Sequence, residues 1–520
     1  MRSSRDVLLA LAATVLQTTT PVSAQTLKEQ VWAVFAYTLH GDSIPTALPR
    51  ESVVTPYGAS ELYAAGSAFR DRYIAINSAD VSPSTRIERI SSYVLADEDI
   101  DILTTTDASV IASAQAFMQG LYPNLNETYD SQFFDPIFHM SNGSVTTGPL
   151  GGYQYPRIIS ASLDDPQSVT VAGHQNCMLH QTADSEYQNS PETQELIQTS
   201  GPFFNRLYEF SLRDTFDRSS ANYLNAVSIS EFLQYQLLHN ETLLHSLNED
   251  DIKLAKWYAD KYTFATNGNT TSSSPIQSGN VRAIAGRTMA SRVLDVFNTN
   301  ILNRGDSSKL TFLFGNPEPA VALTSLLRLA SPQQSNFYSR PALGASIILE
   351  LFSLESDAYP TYPDPTKLYV RFLLRNGTDE GAEFRPYPLF GLSPSNTDVS
   401  YSEFQAELTK FALNSTEAWC LQCSSSSAVF CPGVLEADGV SSTQKSSSGD
   451  NNITPAVAGV IGAIVTLVVI GMFAAAGFLF FGVRMNRQYK SNLTDVKGGI
   501  KLASDSNLPL RENMVKYIAA

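Results

Sequence analysis

The sequence predicts an α/β domain: a mainly parallel sheet flanked by helices, an inserted and mostly helical smaller lobe, and one C-terminal transmembrane helix. Three observations predict it. Strand-like apolar runs alternate with amphipathic helical stretches over residues 31–122 and again over 309–330, as expected of parallel strands joined by crossovers. The stretch between them, about 122–275, is richer in helical and loop signals and supplies the inserted lobe. Near the C-terminus lies a run of 29 residues, 455–483, without a charge.

The elements follow in order. Residues 1–24 carry Arg2 and Arg5, then the apolar run VLLALAATVL, then VSA closing at Ala24, the layout of a cleaved secretory signal. VWAVFAY (31–37) is continuous, β-branched and aromatic, as a strand buried on both faces should be. Residues 57–74 place Leu62, Ala65, Phe69 and Tyr73 on one helical stripe. DILTTTD (101–107) predicts a strand, and 109–122 a helix after it. KLTFLFG (309–315) and EPAVALTSLLRLA (318–330) repeat strand then helix, and GASIILELFS and KLYVRFLLRNG predict two later strands. Residues 432–454 hold serines and glycines but almost no large apolar side chain, so they form a stalk that cannot offset the cost of ordering. The run 455–483 would extend about 43 Å as a helix, against a hydrocarbon core of about 30 Å. Arg484, Arg487 and Lys490 follow it at once, which places the tail 484–520 in the cytoplasm and the region 25–431 outside as the folded ectodomain.

Charge and modification signals agree with export. Setting aside tail and leader leaves 26 basic and 47 acidic residues over 25–454, a formal charge near −21. Such a surface repels polyanions, which excludes nucleic acid as a partner. Seven N-x-S/T sites precede the apolar run, at Asn126, Asn142, Asn240, Asn269, Asn376, Asn414 and Asn452, and predict a glycoprotein. The four cysteines, Cys177, Cys420, Cys423 and Cys431, suit disulfides in an oxidising compartment. They allow three pairings. A short loop favours Cys423–Cys431, with Cys177–Cys420 tying a distant segment to the C-terminal edge. W-C-x-x-C at 419–423 has the spacing of a redox dithiol, but it closes the folded region rather than opening a helix after a strand. His139, His174, His180, His239 and His245 show no paired metal-ligand spacing, so no metal and no cofactor is expected.

His40 stands at the end of the first strand, in Leu39-His40-Gly41-Asp42-Ser43-Ile44-Pro45. With VTPYGASELYAAGSAFRDRY, TDASVIASAQAFMQG, FLFGNPEPAVALTSLL and the terminal WCLQC…FC, this order resembles the acid phosphatase and phytase branch of the histidine phosphatase superfamily. The resemblance covers residues 31–431 and implies a phosphoglycerate mutase-like fold, with the pocket at the carboxyl end of the sheet. It also implies a reaction in which one histidine attacks phosphorus, arginines clamp the phosphoryl oxygens, a second histidine assists and an acid protonates the leaving group.

Carried over residue by residue, the motif is degenerate. His40 keeps the nucleophile position. The arginine positions are Leu39, Ser43 and Ser109, the second histidine is Asn316, and the acid is Pro317, with Glu318 one residue further on. A transferring phosphoryl group needs fixed positive donors, and neither Leu nor Ser reproduces a guanidinium fork. One such donor is worth roughly 10²–10³ in rate, and the acid about 10²–10⁴. The sequence therefore predicts a membrane-anchored glycoprotein of the cell surface or secretory pathway with a catalytically silent phosphatase-like ectodomain. The alternative is a surface phosphomonoesterase acting through His40. No ligand or protein partner can be named from these residues.

Overall fold

The computed structural model describes residues 28–75, 85–124, 137–241, 248–271, 279–355, 361–378, 382–425 and 427–437. The chain divides into units 1–442 and 443–520, and every described residue belongs to the first. The predicted signal 1–24, the apolar run 455–483, the tail 484–520 and most of the stalk lie outside the described residues. Among the described residues no helix is long and apolar enough to cross a membrane.

The first strand, β1 (Lys28–Leu39), is the middle of the core. Its side chains serve two layers, alternating from Ala33 onward after a bulge between Val31 and Ala33. Val31, Val34 and Ala36 join one buried cluster, while Trp32, Phe35, Tyr37 and Leu39 join another on the opposite face. Helices α1 (Pro56–Tyr73) and α2 (Ala108–Leu121) cover the first face, contributing Leu62, Phe69 and Phe117. Thr55 caps α1 by accepting from Gly58 N at 3.1 Å, and Pro56 occupies the first turn, where no amide donor is needed. The two helices touch backbone to backbone: a Cβ on Gly66 would strike the Phe117 carbonyl oxygen, and one on Gly120 the Tyr63 carbonyl.

β2 (Ile100–Thr105), β3 (Ile159–Ala161) and β4 (Leu310–Gly315) run parallel with β1. On the other side, β5 (Ser346–Glu355), β6 (Leu368–Arg375), β7 (Arg385–Tyr387) and β8 (Asp398–Ser400) are antiparallel. The order is β8-β6-β5-β1-β4-β2-β3, with β7 also on β6. The sheet is thus mixed rather than mainly parallel. Both apolar runs after residue 344 were legible as strands, but direction is set by which edge of β1 they join. The segment predicted as an inserted lobe contributes β3 to this sheet, and its helices follow. These include α3 (Met178–Gln188), α4 (Pro191–Leu207), α5 (Ala226–His239) and α6 (Glu249–Thr263). They enclose their own core of Phe204, Leu207, Tyr223, Ile229, Phe232 and Leu233.

The opposite face of the sheet is covered by α7 (Ile284–Leu302) and α8 (Pro317–Leu326). The periodicity had carried α8 to residue 330. It stops earlier because Arg328 adopts a left-handed φ of 59°.

The disulfide pairing differs from the expected one. Cys177 bonds Cys423 and Cys420 bonds Cys431, with Cα–Cα distances of 4.7 and 5.5 Å. All four sulfurs are paired. The helix α9 (Thr416–Cys423) is the physical reason. It fixes Cys420 and Cys423 one turn apart, so the later one meets Cys177 at the head of α3 and the earlier one turns to Cys431. Trp419 seals the cluster, donating to Gly173 O at 2.8 Å. A six-residue helix, Pro432–Ala437, begins the segment expected to be stalk, with Val434 packed against the cysteines.

Candidate functional site

Three neighbouring parallel strands, β1, β4 and β2, end side by side, and the chain leaving them carries His40, Asn316 and Asp107. This is where open α/β sheets place ligands. Leu39 pairs with Gly315, and His40 N donates to Gly315 O at 3.2 Å. Gly344, whose φ of 67° suits glycine, donates its amide to His40 O at 3.0 Å. The His40 ring is half-buried, and its Nδ1 lies 2.8 Å from Gly41 O. A carbonyl only accepts, so Nδ1 carries a proton at this contact.

The degenerate positions, all with neutral side chains, sit at or beside the ends of β1, β4 and the start of α2. Leu39 is wholly buried in the core. Ser43 bridges to Val54 beside the loop. Ser109 is buried at the start of α2; its carbonyl accepts from Ser113 Oγ at 2.7 Å, and that oxygen accepts from Gly41 N at 3.0 Å. Asn316 donates from Nδ2 to Asp107 Oδ2 at 3.4 Å, and its carbonyl accepts from Tyr37 OH at 2.7 Å. Pro317 and Glu318 open α8.

Carboxyls occupy the surroundings. The Glu318 Oε2 atom is buried and takes no hydrogen bond among the described residues. Burial pushes this carboxyl above its ordinary range; its own amide, Arg340 and His40 pull it back, and Asp107 adds to the rise. Glu231, from α5, feels the same groups: burial raises it, Arg340 lowers it, Glu318 raises it and His40 lowers it. Its side chain still keeps 43% of its surface accessible, as a group on the wall of a recess would. Arg340 is committed to acids, donating from Nη1 to Glu231 Oε1 at 3.1 Å and from Nε to Asp260 Oδ1 at 3.2 Å.

The inserted helices also clasp the His40 loop. Asp42 is buried and accepts from the Thr55 hydroxyl, and its Oδ2 lies 2.6 Å from His239 Nε2 at the end of α5. The sequence motif held no signal for Glu231, Arg340 or His239, because they enter from segments far along the chain. Asp42 lay inside the motif but at its variable position.

The other expected residues sit elsewhere. The cysteines form the separate cluster described above. Asn142, Asn376 and Asn414 are exposed, Asn240 and Asn269 are half-buried, and Asn126 and Asn452 lie outside the described residues. His174 and His180 meet edge to face with ring centroids 5.8 Å apart. Burial lowers them to about 4 and about 3, while it pushes neighbouring Asp184 up to about 7. Among the described residues no group of three or more His, Cys, Asp or Glu is arranged to hold a metal.

The family model described as histidine phosphatase superfamily (branch 2) matches residues 43–375. The match begins three residues after His40 and includes Ser43, Ser109, Asn316 and Pro317. No curated protein matches the chain. Among solved structures, the phytase of Citrobacter braakii is 14% identical, covering 76% of this chain and 99% of its own at a TM-score of 0.44. The phytase of Klebsiella sp. ASR1 is 14% identical, with 75% and 97% covered and a TM-score of 0.47. The multiple inositol polyphosphate phosphatase of Bifidobacterium longum, solved with phosphate, is 12% identical, with 75% and 94% covered and a TM-score of 0.43.

Proposed function

The chain belongs to branch 2 of the histidine phosphatase superfamily, and on that premise we propose that it is a non-hydrolytic member. In this reading it is a membrane-anchored glycoprotein of the cell surface or secretory pathway, its tail cytoplasmic, whose phosphatase-like ectodomain serves as a surface or binding module. One observation carries the loss of catalysis. The carboxyls Glu231 and Glu318 both feel the charge of His40, the motif's arginine positions are neutral, and Arg340 is held by Glu231 and Asp260. A phosphate anion entering there meets acids where it needs cations. Apolar run, signal and glycosylation sites support the anchored, exported topology. Titrating the ectodomain with inorganic phosphate at pH 5 tests the binding half of this reading. No rise in melting temperature up to millimolar phosphate is expected, and a saturable rise lost in Ser109→Glu would refute it.

A second reading has one observation in its favour. His40 Nδ1–H donates to Gly41 O, which turns Nε2 away from that carbonyl, and the buried carboxyl of Glu318, raised above its ordinary range, feels the His40 charge. In that reading the chain is a phosphomonoesterase with a displaced proton donor.

A further inference from the structure

A well-formed cleft among the described residues lies away from His40. It lies in the helical lobe, has a volume of about 700 Å³, and is walled by Trp257, Phe264 and Tyr338, with Asn269 at its margin. We propose that this cleft seats the carbohydrate attached to Asn269, so that the chain's own glycan is its occupant. The inference rests on the glycoprotein reading above.

Three observations support this occupant. Asn269-Thr270-Thr271 is an acceptor site, and Thr271 Oγ1 donates to Asn269 Oδ1 at 2.9 Å while Thr271 N donates to the same oxygen at 3.2 Å. That leaves Nδ2, the atom that carries a sugar, directed away from its own turn. Trp257 keeps 52% of its surface exposed and Tyr338 38%, an unusual outlay of aromatic area for a lobe that buries Phe203, Phe204 and Tyr223. Sugar rings present C–H faces that stack on such rings and hydroxyls that suit the polar rim. Finally, every charged side chain lining the cleft is already engaged. Lys261 pairs with Glu192 at 3.5 Å, Asp260 with Lys256 at 2.6 Å and with Arg340, and Arg282 lies over the Tyr187 ring and donates to Ala265 O. A neutral polyhydroxyl ligand fits this balance; an ion does not. The volume is in the range of sites that bury small ligands, enough for the first sugars of a chain.

The test uses the full-length chain made in a secretory host. Glycopeptide mapping gives occupancy at each site, and a peptide:N-glycosidase acting on the native protein gives release rates. The expected result is an occupied Asn269 whose glycan leaves about tenfold more slowly than that of exposed Asn142. Trp257→Ala and, separately, Tyr338→Ala should bring the two rates together. An occupied Asn269 that is released as fast as Asn142, or occupancy elsewhere but not at Asn269, overturns the inference and leaves the glycoprotein reading standing. A chain bare at every site overturns both.

Discussion

The two disulfides differ sharply in the loops they close, and that difference can be measured. Cys177–Cys423 spans 246 residues of sequence and Cys420–Cys431 only 11. Chain-entropy cost grows with the logarithm of loop length. At 25 °C the long link should restrict the unfolded chain by about 5.5 kcal/mol and the short one by about 2.8 kcal/mol. The perturbations are two double variants, Cys177→Ser with Cys423→Ser, and Cys420→Ser with Cys431→Ser. Urea unfolding of the folded domain, followed by tryptophan fluorescence, gives the loss in each. The first should lose about twice as much as the second, with peptide mapping of the remaining link confirming it intact. The alternative pairing, Cys177–Cys420 with Cys423–Cys431, makes a different forecast. Each double variant would then break both bonds, and the two losses would be equal. Equal losses would refute the assignment.

Other expectations concern packing and pH. Gly66→Ala should destabilise the folded domain by about 1–3 kcal/mol, because its methyl group meets the Phe117 carbonyl; an unchanged melting temperature contradicts the close α1–α2 contact. Asp42→Ala strips a buried partner from Thr55 and His239 and should cost about 1–3 kcal/mol, read from the urea midpoint. Burial depresses His174 to about 4 and His180 to about 3, so their contribution is present above pH 6.5 and is lost as pH falls toward those values. Asp184, raised to about 7, acts oppositely, gaining stability as pH falls through 7. Asp184→Asn should therefore steepen the loss of stability between pH 7 and 4, and a flatter profile would contradict the assignment.

What the sequence made legible was local. The unbroken apolar run at β1 announced a strand buried on both faces, and the glycines in YAAG and FMQG sit where α1 and α2 touch. Strand existence could be read; strand direction could not. The runs at β5 and β6 look alike whether parallel or antiparallel, and only the docking of β5 on the far edge of β1, and of β6 on β5, decides it. The cysteine pairing failed for a related reason, since spacing in sequence says nothing of the face on which a helix presents each sulfur. At the site, the neutral residues replacing the motif's charges were visible because strand and helix ends hold them in fixed register. The acids that change the electrostatics were not. Glu231 arrives from α5, and Arg340 from the segment before β5, so neither has a local signature.

The central claim is that His40 no longer turns over phosphomonoesters, and hydrolysis is its most direct measure. The purified phosphatase-like domain should be assayed with a generic phosphomonoester from pH 3 to 6, alongside His40→Ala. The account predicts that the two proteins give the same background across that range and that no acid-labile phosphate accumulates on His40. Turnover at the level of working family members, abolished by His40→Ala and lowered by Glu318→Gln, would contradict it.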